Sequence, residues 1–529
     1  MILKLFLVVL LSTISFFGCR KEEKRTGPPF IRLQELLEDP STEIRSDIPI
    51  SLSEFQNFQG DGWTIHDDLI SASDRRALFL FPERQRKIQG FRLKFQARSA
   101  VDRVLKINVQ NKEIAVYRLT PQWKQYQLRF SAKDLSRPTV RHLAFMFEGA
   151  DPAAASYADF RDLQMSSYLW GRSNLFKDTR SALAVRSAST VTFQLTLPPQ
   201  KPRLFFGIGM PSKKGEAQQE SEFAYSIIVH SKSRSKELLR KTVPSSPLPK
   251  WNDESVDLSD FAGKQVKLEL KSESSSKKPD SYVAWSSPEI YDVASINNKP
   301  NVILISIDTL RADRVFSGFA PNLAALAKQS IVYKNAYCTF PSTLSSHTSV
   351  MTGLYVASHQ VSRPTYQIVR TKMIPRELNT IAEVAHQEGY YTAGITDGGF
   401  VSGFYGFEQG FQEYLENSDK GHNRVVTLDN AQRWIETNSN RPFFLFLHSY
   451  TVHEPFHPPV DIFRKLYPKP ALDQAPHITM EWLDKVVGGK VQPTEQEKEF
   501  VRQCYNAEVY FFDQNFGLFM KKLKQLGLD

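Results

Sequence analysis

Val302-Ile-Leu-Ile-Ser-Ile307-Asp308-Thr-Leu-Arg-Ala-Asp313 is a nearly unbroken apolar run closed by a carboxylate. Such a run lacks the polar alternation of a half-exposed strand and reads as one buried on both faces, as in a sheet covered by helices. The segments that follow keep this register. Asn322 to Ser330 reads as a helix, Glu377 to Gln387 as a helix ended by Gly389, Tyr391 to Ile395 as a strand, and Phe443 to Leu447 as a second buried strand. Glu497 to Leu526 reads as a long helix whose apolar face is Phe500, Cys504, Ala507, Phe511 and Leu518, with Asn515 as a polar intruder. Residues 300–529 are therefore expected to form an α/β domain. Ligands of open parallel sheets gather at the carboxyl ends of strands, so Asp308 stands where a divalent cation could be held. A helix cap is the alternative for a lone carboxylate at that place.

The next element is Phe340-Pro-Ser-Thr343-Leu-Ser-Ser-His347-Thr-Ser-Val-Met-Thr352-Gly353-Leu-Tyr355, a short helix expected to begin near Thr343 and close at Gly353. Its first turn presents amide groups with no partner inside the helix and the positive end of the dipole, which suits an anion. A Thr hydroxyl there serves either as an N-cap or, once its pKa is lowered by a metal ion, as a nucleophile.

These two motifs, followed by His359, Leu378-Asn-Thr-Ile-Ala-Glu-Val-Ala385, Glu388-Gly-Tyr-Tyr-Thr-Ala393, Gly406-Phe-Glu-Gln-Gly-Phe411 and His448-Ser-Tyr-Thr-Val-His453-Glu-Pro-Phe-His-Pro-Pro459, resemble in kind and order the sulfatase-like branch of the alkaline phosphatase superfamily. The resemblance covers about residues 300 to 529. It implies that Asp308 is a metal ligand, that Thr343 is the nucleophile and also touches the metal, and that His453 contacts the ester group. It places His347 where sulfatases carry the Arg of their nucleophile motif, with bracing of the loop as the other reading; His448 is read as structural. Divalent ions (Zn, Ca, Mg or Mn) are the implied cofactor. Thr343 departs from the sulfatase pattern, because only Cys or Ser can be converted to formylglycine, and Cys338 lacks the Pro and Arg that should follow it. Asp397-Gly-Gly399 replaces the Lys-Trp-His element of sulfatases. Both departures favour phosphoesters, through a phospho-threonine intermediate. Relatives continue past the long helix with a strand and a Ser-Asp-His-Gly segment carrying further metal ligands, so the α/β domain is expected to be incomplete at its C-terminus.

Before residue 295 the period is two. Phe91, Leu93, Phe95, Ala97; Leu105, Ile107, Val109; and Leu143, Phe145, Phe147 mark half-buried strands, and a second block repeats the style at Val191, Phe193, Leu195, Leu197; Phe223, Tyr225, Ile227, Val229; and Val266, Leu268, Leu270. Pro121-Gln-Trp123 and Pro249-Lys-Trp251 head similar stretches, as do Asp159-Phe-Arg-Asp-Leu163 and Ser286-Ser-Pro-Glu-Ile290 further on. Two tandem antiparallel β-sandwiches that arose by duplication are expected, over 46–168 and 169–294, the second resembling jelly-roll modules of carbohydrate-binding proteins. Trp123 and Trp251 serve either as packing residues, the commoner use, or as platforms for sugar rings.

At the N-terminus, Lys4 precedes an apolar run from Leu5 to Phe17, then Gly18-Cys19 and a charged stretch. The run is short for a membrane span, and a small residue before Cys resembles a bacterial lipobox, although Phe16 stands where Leu is usual. This implies a signal peptide over 1–18, a lipid on Cys19, a tether over 19–45, and a lipoprotein of the cell envelope facing the periplasm or cell exterior; an ordinary cleaved signal and an uncleaved anchor are the alternatives, and all three export the chain. Cys338 and Cys504 could pair in an oxidising compartment or stay as buried thiols. The formal net charge of +10 is spread among acids without a basic stripe or a nucleic-acid motif, so nucleic acid is not an expected partner, whereas an anionic envelope or glycan surface is compatible. The expected function is a metal-dependent hydrolase of sulfuric or phosphoric esters on a glycan, lipid headgroup or small molecule. The alternative is an inactive, truncated lipoprotein that binds carbohydrate or envelope.

Overall fold

The structure, a computed structural model, describes residues 6–10, 30–37, 42–46, 55, 59–66, 69–80, 90–109, 112–131, 142–149, 156–175, 178–186, 188–209, 223–232, 234–243, 250–274, 282–296, 299–362, 373–417, 426–473 and 478–528. Cys19 and most of the expected leader lie outside these residues. The chain forms two compact units, one of Arg25–Phe176 and Arg180–Ala294, the other of Met1–Lys24, Lys177–Thr179 and Ser295–Asp529. Strand β1 (Phe6–Leu10) belongs to the latter.

In the first unit, alternating apolar residues close two sandwiches with separate cores. Short strands β2 (Phe30–Arg32), β3 (Glu43–Ser46) and β4 (Trp63–Ile65) precede eight strands of the first sandwich: β5 (Ile70–Ala72), β6 (Arg76–Leu80), β7 (Gly90–Arg98), β8 (Arg103–Val109), β9 (Lys112–Leu119), β10 (Lys124–Ser131), β11 (His142–Glu148) and β12 (Ala158–Leu175). Eight more follow: β13 (Asp178–Arg186), β14 (Ser189–Thr196), β15 (Pro202–Gly209), β16 (Phe223–His230), β17 (Ser235–Val243), β18 (Asn252–Asp257), β19 (Gln265–Ser274) and β20 (Tyr282–Asp292). The first set pairs as β10-β7-β12-β5 and β9-β8-β11-β6, the second as β18-β15-β20-β13 and β17-β16-β19-β14. Strand for strand the two orders are the same, which bears on the expected duplication more directly than the Trp motifs do. Each closing strand, β12 and β20, also carries a register shift beside a non-glycine residue of positive φ, Asp162 (52°) and Ser287 (40°).

The 19–45 segment is not a tether throughout. β2 pairs with β20 and β3 with β14, and Leu33, Leu37 and Ile44 enter the second core, because these apolar residues recur closely enough to be worth burying. The boundary expected at 168/169 falls inside β12.

The α/β unit has four parallel strands in the order β21 (Val302–Ile307), β24 (Phe443–Ser449), β22 (Tyr391–Thr396) and β23 (Glu413–Glu416), with β1 antiparallel along the outer edge of β21. Side chains alternate across β21: Ile303, Ile305 and Ile307 join one core with Phe512, Phe516 and Phe519, and Leu304 joins another with Leu344, Phe444 and Phe446. Helices thus cover both faces, as the apolar runs require. The helix from Glu495 to Gln525 starts with a capping box on Thr494, but its buried face is Val509, Phe512, Phe516, Phe519 and Leu523. Of the face read from sequence, Cys504 and Ala507 are buried, but further along the helix the buried stripe is rotated away from Phe511 and Leu518, and Leu518 is 60% exposed. The reason is Asp513, which is fully buried and accepts hydrogen bonds from the amides of Asn322 (3.0 Å) and Leu323 (2.8 Å) and from Asn322 Nδ2 (2.8 Å), capping the helix Pro321–Ala327 in place of a local N-cap.

Replacing Asp513 by Ala leaves those donors buried without their acceptor, and the α/β unit should lose about 3 kcal/mol, a fall of roughly 10 °C in its melting transition. A change within about 1 °C would show that the cap carries no such weight.

Candidate active site

β21 and β24 are parallel neighbours, and their carboxyl ends are tied where the Asp308 amide donates to the Ser449 carbonyl at 3.0 Å. Asp308 is 1% exposed. The chain then turns through Thr309 at a φ of 62°, a left-handed conformation that costs a non-glycine residue on the order of 1 kcal/mol. Two bonds hold it there: Thr309 Oγ1 donates to the Val452 carbonyl (2.7 Å), and the Thr309 carbonyl accepts from the Tyr505 hydroxyl (2.9 Å). Tyr505 in turn accepts from the Arg311 amide at 2.8 Å. The loop bearing Asp308 is thereby clamped by the long helix and by the segment after β24.

The second component is the helix Thr343–Thr352, closed by Gly353 at a φ of 69°. Its N-cap, Ser342, makes no side-chain capping bond, whereas the helices starting after Thr380 and Thr494 have complete capping boxes. The first-turn amides of this helix are thus left without a local side-chain cap, as an anion site requires. His347, fully buried, fixes the helix to the sheet. Its Nε2 is 2.8 Å from Ser306 Oγ and its Nδ1 is 2.8 Å from the Thr343 carbonyl. A carbonyl only accepts, so Nδ1 carries a proton, and in the neutral ring Nε2 accepts from Ser306. With the first turn so placed, the half-buried Thr343 donates from Oγ1 to Asp308 Oδ2 at 2.7 Å.

Around this pair stand three rings. His448, fully buried, has Nε2 3.9 Å from Asp308 Oδ2 and packs edge-on against His347 and Tyr450, with centroids 4.9 and 4.5 Å away. The Tyr450 hydroxyl accepts from the Phe400 amide at 3.2 Å. Burial, and then the negative charge of Asp308, push the Tyr450 phenol well above its ordinary pKa, so it stays a neutral donor. His453 packs against Tyr450 at 5.0 Å and is partly exposed, with Nδ1 held by the Glu454 carbonyl at 2.7 Å. Asp397, at the end of β22, accepts from the Tyr450 amide at 2.7 Å and from Thr427 Oγ1.

The structure therefore brings Asp308, Thr343 and His347 into direct contact, with His453 one ring away across Tyr450. Sequence reasoning missed Ser306, Tyr450 and the bracing part of Asp397. Their signal was positional, because each lies in or just beyond the carboxyl end of a recognised strand. Asp308 Oδ2 and Thr343 Oγ1 are hard oxygen donors suited to a divalent ion, which needs four or more ligands. Among the described residues, no group of three or more His, Cys, Asp or Glu is placed to hold an ion, and this pair alone would not complete a coordination shell. Cys338 and Cys504 are both free thiols.

Residues 300–529 match the family model described as Sulfatase. This part of the chain belongs to the sulfatase family. Within it, a 73-residue stretch is 41% identical to an uncharacterized pyrophosphatase/phosphodiesterase of Schizosaccharomyces pombe, covering 13% of this chain and 15% of that protein. A 150-residue stretch is 28% identical to an arylsulfatase of Clostridium perfringens, covering 26% and 30%. The chain thus spans less than a third of the length of these curated relatives. The crystal structure of Ps i-CgsB in complex with k-i-k-neocarrahexaose aligns with 44% of this chain and 56% of its own, at 19% identity and a TM-score of 0.33.

In this sulfatase-family domain, burial, then the Glu508 carboxylate, push the Cys504 thiol up to about 12. Native protein at pH 8 should therefore be alkylated by iodoacetamide at Cys338 and spared at Cys504, with both modified after unfolding; peptide mapping reads the difference. Burial likewise raises the Tyr505 phenol to about 12 from 10.0. The folded state favours the neutral phenol, so the stability it contributes is complete below pH 10 and is lost as pH rises toward 12. Chemical denaturation should show the advantage of wild type over Tyr505→Phe shrinking across that window; a constant difference would contradict the assignment.

Proposed function

We propose that the domain is the catalytic part of an ester hydrolase that uses Thr343 as nucleophile and favours phosphoric over sulfuric esters. The observation that carries this reading is the 2.7 Å hydrogen bond from Thr343 Oγ1 to Asp308 Oδ2 at an uncapped helix N-terminus. The bond aims the hydroxyl and gives its proton an acceptor. Attack forms the Oγ1–P bond and breaks the bond from phosphorus to the leaving oxygen; water then cleaves the phospho-threonine and restores the hydroxyl. The first-turn amides balance the non-bridging oxygens, and the neutral Tyr450 phenol adds a donor on the same side. His453, the most accessible of these rings, is placed to meet the ester. His347 acts as a positioning residue, since both its nitrogens are engaged in holding the first turn.

A divalent ion held in part by Asp308 and Thr343 would supply Lewis-acid chemistry, lowering the hydroxyl pKa and balancing charge on the ester. The preference for phosphorus rests on Thr343, which cannot yield formylglycine, and is compatible with the relatives, whose names include both a phosphodiesterase and an arylsulfatase. The leader with Cys19 adds a lipid anchor in a bacterial cell envelope to the proposal.

With bis(p-nitrophenyl) phosphate as substrate, Thr343→Ala should reduce turnover by at least about a thousandfold, and Thr343→Ser should retain part of it. The melting temperature of Thr343→Ala should stay within about 2 °C of wild type. Chelation should also stop turnover. Turnover retained in the folded Ala variant would remove Thr343 from the role, and hydrolysis of p-nitrocatechol sulfate alone would overturn the phosphoester preference.

A further inference from the structure

The loop that leaves β22 carries three aromatic rings from the Thr343 site toward the surface. Gly399 takes a left-handed φ of 62°, and a Cβ there would stand 2.9 Å from Cε2 of Tyr450. Only a glycine lets the backbone pass this close to the tyrosine ring. The next residue, Phe400, gives its amide to the Tyr450 hydroxyl, and the turn Gly399–Val401 rests on the helix Thr343–Thr352. From there the rings continue. Phe400 stacks on Tyr405 with centroids 5.8 Å and planes 28° apart, and Tyr405 meets Phe404 edge-on at 5.0 Å. Phe400 and Tyr405 lean on the core that contains Leu344, the residue after Thr343, whereas Phe404 is 71% exposed.

The turn that presents these rings is braced. Glu416, at the end of β23, accepts from Ser402 Oγ at 2.9 Å and from the Gly403 amide at 2.7 Å. Ser402 Oγ accepts in turn from the Phe404 amide at 3.1 Å, and the Tyr405 carbonyl accepts from the Ile374 amide at 2.9 Å. A lone exposed Phe is ordinary on a protein surface. One joined to a braced aromatic row that begins at Tyr450 is ring surface continuous with the site, and its fixed backbone lowers the ordering cost of binding.

We propose that Phe400, Tyr405 and Phe404 hold an aromatic ring on the substituent that a phosphodiester keeps, so that the substrate is a diester rather than a monoester. This rests on the reading of Thr343 as nucleophile. In-line attack places the leaving oxygen on the side of phosphorus away from Thr343 Oγ1. The turn that carries the rings packs on the helix of Thr343 itself, so it flanks the nucleophile and meets a group that stays on phosphorus. Ser402 and Glu416 are engaged with each other and with the amides of the turn, which leaves ring surface as what the turn presents. An aromatic ring suits that surface better than a sugar, whose hydroxyls need hydrogen-bond partners.

Phenyl p-nitrophenyl phosphate and methyl p-nitrophenyl phosphate share a leaving group and differ in the group retained. With the full chain, kcat/KM should be at least about tenfold higher for the phenyl ester. Phe404→Ala should cut this preference at least about fivefold, and so should Phe400→Leu, which keeps apolar volume but removes the flat ring. Leu518→Ala, at an exposed apolar position on the long helix, should leave the preference unchanged. Titration calorimetry gives a second readout that needs no turnover: diphenyl phosphate should bind more tightly than dimethyl phosphate, and lose that advantage in the same two variants. A phenyl-to-methyl ratio near one, a ratio unchanged in folded Phe404→Ala, or equal binding of the two phosphates would overturn the subsite. A loss on the monoester p-nitrophenyl phosphate as large as that on the phenyl ester would place the ring under the leaving group and overturn it as well. Failure of the Thr343 reading shows separately, as turnover kept in Thr343→Ala, whereas failure of the subsite shows as a flat phenyl-to-methyl comparison in a protein whose turnover needs Thr343.

Discussion

The Thr343–Asp308 hydrogen bond joins the end of a parallel strand to the start of a helix, and its geometry can exist only if both backbones are held fixed. Each is held by groups that have no other evident task. Thr309 and Tyr505 clamp the loop beyond Asp308, and His347 ties the first turn of the Thr343 helix to Ser306 within the strand itself. Because Ser306 lies two positions before Asp308, one strand supplies both the carboxylate and the anchor for the hydroxyl that meets it. A slip of one residue in β21 would turn Ser306 toward the opposite core and undo both contacts.

Much of this was legible in the chain. Buried strands were plain at Val302–Ile307 and Phe443–Ser449 because an apolar run bounded by turn residues has few other uses. Asp308 and Thr343 were legible because they occupy positions fixed by strand and helix ends. The face of the long helix was not. Its periodicity was read on the assumption that buried residues are apolar, and Asp513 breaks that assumption by serving as a remote cap, a role that depends on a helix almost two hundred residues away in sequence. Tyr450 was hidden for a similar reason: a Tyr after a strand becomes informative only when its hydroxyl is seen to reach Phe400 and its ring to pack between His448 and His453.

The two sandwiches show how differently sequence and topology carry a repeated design. The Trp motifs hint at the repeat, whereas the matched strand orders and the paired irregularities at Asp162 and Ser287 carry it in the backbone. Against that constant frame the divergence of Trp123 and Trp251 becomes interpretable. One has become a half-exposed support for two arginines, the other a core residue.

The pairing of β2 and β3 with the second sandwich has a consequence for the order in which the protein can assemble. These strands precede the whole first sandwich in the chain, so the first sandwich is an insertion within the second. On a ribosome, where segments appear N-terminus first, the inserted sandwich can finish folding while the strands that will complete its host wait unpaired. The host then closes around a long loop that is already compact. Its two exposed early strands are therefore the part of the chain most dependent on synthesis running to the end of β20 without pause.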